Sequence, residues 1–238
     1  MRRRMGLPYD SPCPARHMPG QQWRLSSRPA GDTAWREIVC PGLALLPQGH
    51  EETAALLPLT DLNGAALGYC RDRIRARDQD QGGALALMMS DPFLNPARIA
   101  DTLRDAGVDT VFNWPSCQVL DGDTARAVAS AGLGVAREVA LIAEFTALGF
   151  QTLGLARGAG HGALMAGAGA TQIVLHPGVS LRDWRSRAMS ARLMEQEMRA
   201  ASEQGLPFLV FRPRGYGSEL DTLIARGAGV VSLGDRAA

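Results

Sequence analysis

Seven short apolar runs rich in β-branched residues, each separated from the next by polar or helix-patterned sequence, constrain the fold of this chain more than any other feature. They are EIVCPGL from Glu37, ALALMM at 84–89, DTVFN at 109–113, FQTLGLA at 150–156, QIVLH at 172–176, PFLVF at 207–211 and GVVSL at 229–233. The intervening segments include PARIADTLRDAG, in which Ile99, Leu103 and Ala106 recur at helical spacing before a glycine stop. TARAVASAG, REVALIAEFTALG and DWRSRAMSARLMEQEMRAASEQG follow the same pattern. Strand and helix alternating in this way build a parallel sheet, either a closed barrel or an open doubly wound sheet. Seven strands with no dinucleotide signature after the first favour the TIM barrel, which needs eight. Met1 to about Ala34, rich in Pro, Arg, Gly and Ser, reads as an irregular leader, which leaves 35–238 for the barrel domain with its first strand missing or degenerate.

Composition removes several function classes. The 238 residues are 46% hydrophobic and carry a formal net charge of +1, so no global field draws the chain to nucleic acid or an anionic membrane. All its basic residues are arginine. Without lysine there is no Schiff-base aldolase, no pyridoxal-phosphate enzyme with its own lysine and no Walker A loop. Cysteines at 13, 40, 70 and 117 form no C-x-x-C pair, which points to reduced thiols in the cytoplasm. The basic MRRRM start leads into no apolar run, and no segment reaches about 18 uninterrupted apolar residues.

In either parallel architecture a ligand binds beyond the carboxyl ends of the strands, so the residues after each run are the site candidates. Asp91, in Ser90-Asp91-Pro92-Phe93, fits a Mg²⁺ ligand, a substrate contact or a helix-start signal. The next run opens into Asn113, Ser116, Cys117 and Asp121. Asn113 is the best substrate contact there, and Cys117 is a nucleophile only with a base beside it. Glu138 fits a carboxylate base or a surface ion pair, and His176 an acid/base group or a loop histidine. Arg212 and Arg214 would clamp a carboxylate or phosphate. RGAGHGALMAG matches G-x-G-x-x-A, but the following strand ends in His176 where an acid should hold a ribose, so no NAD is expected.

Taken in order, these stretches resemble the phosphoenolpyruvate hydrolase-like family, also described as TIM-barrel signal-transduction proteins. Leu56-Leu57-Pro58-Leu59-Thr60-Asp61-Leu62-Asn63 resembles its LLP-x-x-D-x-N element, and Met89 to Phe93 its G-T-D-P-F. Phe112 to Gly122 resembles its long N-F-P…D-G loop, Gly132 to Ile142 its G-M-G…E-V-E-M-I, and Leu175 to Gly178 its A-H-M-G. The resemblance spans about Glu37 to Asp235. It implies a TIM barrel acting on a small oxoacid or other carboxylate by lyase- or hydrolase-type chemistry, with Mg²⁺ held at Asp91. Glu138 and His176 would be the acid/base groups, and Asp91, Asn113, Ser116, Asp121, Arg212 and Arg214 the substrate contacts.

Three departures stand against that. The family's glycine-rich first strand has no counterpart in Met1 to Ala34, its serine- and arginine-rich loop after the second strand is replaced by Leu45-Leu46-Pro47-Gln48-Gly49-His50-Glu51-Glu52, and its late C-H-G-G is replaced by Phe211-Arg212-Pro213-Arg214-Gly215. A catalytically inactive ligand sensor or oligomeric interaction module on the same fold is therefore the alternative. An incomplete barrel with an open apolar edge would assemble into a homo-oligomer.

Overall fold

The computed structural model describes residues 20–234 except 32–33, 58, 78–82, 159, 180–183, 204 and 206. Eight parallel strands close on themselves in sequence order. They are β1 Gln21–Ser26, β2 Arg36–Val39, β3 Gly83–Ala86, β4 Val108–Phe112, β5 Gln151–Ala156, β6 Gln172–Leu175, β7 Phe208–Arg212 and β8 Gly229–Leu233. All seven expected runs contribute strands, and the eighth is QQWRLS.

That strand corrects the reading of 1–34 as a leader. β1 pairs with β2 on one side and with β8 on the other, Leu25 standing opposite Ile38 and Leu233. Its alternation is only two residues deep, Trp23 and Leu25, and both are buried inside the barrel. The rest of the leader, residues 1–19, lies outside the described residues. Closure also removes the open edge from which a homo-oligomer was expected, because every strand has two neighbours.

Strand alternation divides the apolar residues into two layers. Trp23, Leu25, Ile38, Phe112, Leu153 and Phe211 are among those that fill the barrel interior. Leu85, Val111, Ile173 and Val210 face outward onto the helices. The helices are α1 Glu51–Ala54, α2 Leu62–Ala76, α3 Pro96–Asp105, α4 Gly122–Ser130, α5 Val135–Ala147, α6 His161–Gly167, α7 Trp184–Glu203 and α8 Asp221–Arg226. Asp61 caps α2 by accepting from the Gly64 N–H, and Asn95 caps α3 by accepting from the Arg98 N–H. Asp91 therefore caps no helix. Its carboxylate instead closes a tight turn through the N–H of Phe93.

One glycine is required for closure. A methyl group on Gly229 would overlap the backbone carbonyl of Gln21, where β1 and β8 meet.

Candidate functional site

Behind the loop that follows β4, Glu138 in the first turn of α5 is fully buried and collects four donors. Its Oε2 accepts from Ser116 Oγ at 2.6 Å, Gln118 Nε2 at 3.0 Å and Asn113 Nδ2 at 3.1 Å, and its Oε1 from the Cys117 N–H at 2.8 Å. Asn113 Oδ1 in turn accepts from the Leu155 N–H at 2.6 Å. Burial pushes the Glu138 carboxyl above its ordinary value, and the Ser116, Gln118 and Cys117 donors pull it part of the way back. Asn113 and Ser116, expected to touch substrate, and Glu138, expected to be an acid/base group, thus meet one another in a buried cluster. The geometry makes them a clamp that fastens the loop to α5 and β5. Burial also raises the Cys117 thiol, and the Glu138 carboxylate beside it raises it further, so the thiol is inert.

At the carboxyl mouth of the barrel a second group is open to chemistry. His176 directly follows β6, is 1% exposed, and stacks on Phe211 with ring centroids 4.5 Å apart. Its Nδ1 accepts from the Gly178 N–H at 2.9 Å, which leaves the proton of the neutral ring on Nε2. Nε2 lies 3.4 Å from Oε2 of Glu52 in α1, and among the described residues neither of these buried atoms has a hydrogen-bond partner. Beside them a cavity of about 340 Å³ is lined by residues 49–53, which include both Glu51 and Glu52, and by Val179, Arg214 and Leu233. Arg214 Nη2 donates to the Gly234 carbonyl, and its Nε lies 3.8 Å from Glu51 Oε1.

Arg157 reaches the same mouth from the end of β5. Its Nη1 donates to the Gln118 carbonyl at 3.2 Å. Gly178, at φ +99°, is required beside it, because a methyl group there would press on the Arg157 guanidinium. Tyr216, from the turn after β7, is buried too. Burial pushes its phenol up, with Glu52 adding to the shift, while Ser190, Arg187 and Arg157 oppose it.

The remaining candidates stand apart. Arg212 follows the inward Phe211 and so points to the helix layer, where it pairs with Asp221. Asp121 is exposed at the start of α4, and its side chain makes no capping bond. In the glycine-rich loop after β5, Gly160 N–H donates to Glu197 Oε1 at 2.9 Å, so the chain's own carboxylate ties that loop down.

Asp91 lines a separate, larger cavity of about 560 Å³ between the β3 loop, the start of α2 and Leu133. Asn63 Nδ2 donates to Asp91 Oδ2 at 2.8 Å and the Phe93 N–H to Oδ1 at 2.8 Å. Resident Mg²⁺ would need about six oxygens in near-octahedral geometry. Among the described residues no three His, Cys, Asp or Glu side chains converge, and both Asp91 oxygens already accept a hydrogen bond. This donor set does not fit the metal.

The connection between β2 and α2 forms a wall of both cavities, with residues 49–53 facing the smaller and Leu56, Leu57 and Thr60 to Asn63 the larger. The larger cavity is built from the stretches that carried the family resemblance, 56–63 and 90–93; Pro58 itself lies outside the described residues. The family model described as phosphoenolpyruvate hydrolase-like matches residues 46–204. The chain belongs to that family. A phosphoenolpyruvate hydrolase-like match over this span takes in Glu51, Glu52, Arg157 and His176 but stops short of Arg214 and Tyr216. The chain is also 32% identical over 116 residues to the uncharacterized protein y4oT of Sinorhizobium fredii, an alignment covering 49% of this chain and 58% of that protein. The chain thus spans little more than half the length of this curated relative.

Three mouth residues escaped sequence reasoning. Glu52 sits in a His-Glu-Glu-Thr stretch that reads as a polar helix start. Tyr216 lies in a turn noticed only for its arginines. Arg157 was within reach, since it directly follows a strand run as His176 does.

Proposed function

We propose that this phosphoenolpyruvate hydrolase-like barrel binds a small 2-oxoacid at its carboxyl mouth and moves a proton at the carbon next to the oxo group. The observation that carries this reading is the Glu52–His176 pair, two buried atoms 3.4 Å apart with no hydrogen-bond partner among the described residues, at the edge of a cavity that also presents Arg214.

Each residue has a chemical part. The Arg214 guanidinium suits the ligand carboxylate. Glu52 lines the cavity, so its carboxylate is the base that takes the proton and returns it. His176 is a positioning residue: held through Nδ1 by Gly178, it keeps Nε2 3.4 Å from Glu52 Oε2, where a small movement would let it donate and orient the carboxylate. The enolate left by proton removal carries its charge on the former oxo oxygen, and Arg214 is the cation lining the cavity that would stabilise it. No step passes through a metal.

Hydrogen–deuterium exchange into the methyl group of pyruvate in D₂O, followed by proton NMR, tests this. The folded chain is expected to catalyse exchange, Glu52→Gln to abolish it with pyruvate still bound, and Arg214→Gln to weaken pyruvate binding about tenfold. Saturable binding without exchange in the unmodified chain would identify a ligand sensor on this fold. Absence of binding by pyruvate, oxaloacetate and phosphoenolpyruvate would reject the site.

A further inference from the structure

We propose that the larger cavity is a second ligand site, specific for a small organic ammonium ion with an apolar body, and that it takes the place of the metal site Asp91 suggests. The walls set the body of the ligand. Leu56, Leu57, Leu62, Met88, Phe93 and Leu133 are among the residues that line the roughly 560 Å³, a volume within the range of small-molecule sites. Phe93 is 91% exposed and Leu57 51% exposed at the rim, so apolar surface is left there for a ligand to cover.

The polar atoms set its head. Asp61 and Asp91 both line the cavity, and among the described residues neither forms an ion pair. Each is already held rigid: Asp61 Oδ1 accepts from Gly64 N–H at 2.7 Å, and Asp91 is fixed by Asn63 and Phe93. Asp61 answers the positive end of α2, so a second anion in the cavity would meet two carboxylates. Ser90 also lines the cavity, and its hydroxyl oxygen is buried without a hydrogen-bond partner among the described residues. An ammonium group brings three donors, which matches two carboxylates and a hydroxyl. Magnesium would have to shed water into walls that are largely apolar, whereas an organic cation places carbon against them.

Methyl NMR on Met88 and Leu133 tests the assignment, with phenethylammonium chloride titrated at neutral pH against phenylacetate, its charge-reversed counterpart, and against MgCl₂. Phenethylammonium is expected to give saturable shifts and the other two none. Asp61→Asn, which keeps a capping oxygen for Gly64, is expected to weaken binding about tenfold, and Ser90→Ala about threefold. Unchanged resonances elsewhere show that each variant is folded. Equal response to phenylacetate, saturation by MgCl₂, full affinity in Asp61→Asn, or no saturable shift with phenethylammonium would each overturn the proposal. Pyruvate binding through Arg214 is read separately, so failure here leaves the mouth site standing.

Discussion

Glu138 shows how a residue can have every chemical mark of a catalyst and none of the access. It is fully buried, lines neither cavity, and spends both oxygens on the loop after β4. Because burial raises its carboxyl above the ordinary 4.5, the folded state holds the proton over a pH range in which the unfolded chain has released it. Stability from this group is thus greatest below pH 4.5 and falls as pH rises through the raised folded value. Glu138→Gln removes that slope. It also puts an amide nitrogen where a donor needs an acceptor, so the variant is expected to lose about 2 kcal/mol near pH 5, the deficit shrinking toward higher pH. Urea unfolding at a series of pH values measures both effects. The sequence could show that Asn113, Ser116 and Glu138 are polar groups in strand-end and helix-start positions. It could not show that they converge on one another, because twenty-five residues separate Asn113 from Glu138 and only packing sets their separation. Glu52 is the reverse case: its burial comes from lying across the barrel mouth, which no local pattern records.

At the scale of elements, β1 and β8 carry the closure. Gly229→Ala is expected to cost about 3 kcal/mol, since a methyl group there displaces β1 backbone and no side chain can yield in its place. Thermal unfolding followed by circular dichroism would read that loss. The seven other strands were legible because each carries at least two consecutive apolar residues in a run bounded by turn signals. β1 was not: Gln21, Gln22 and Arg24 alternate with Trp23 and Leu25, and a Pro- and Arg-rich stretch precedes it. Only its partners on both sides make it a strand, and pairing across two hundred residues is invisible to local propensity.

For the molecule as a whole, closure makes β1 a condition of folding. Removing residues 1–26 would expose the free edges of β2 and β8 together with the interior around Ile38 and Val231. Such a chain is expected to bind the dye ANS and lose its cooperative thermal transition, while the full chain unfolds in one step. Retention of a single sharp transition would show that seven strands suffice. The two cavities at the carboxyl face share a wall, the connection from Gly49 to Asn63. An insertion, deletion or loop swap in that one stretch reshapes both rims at once. At the two proposed sites, a change selected for one ligand would therefore have to be tolerated by the other.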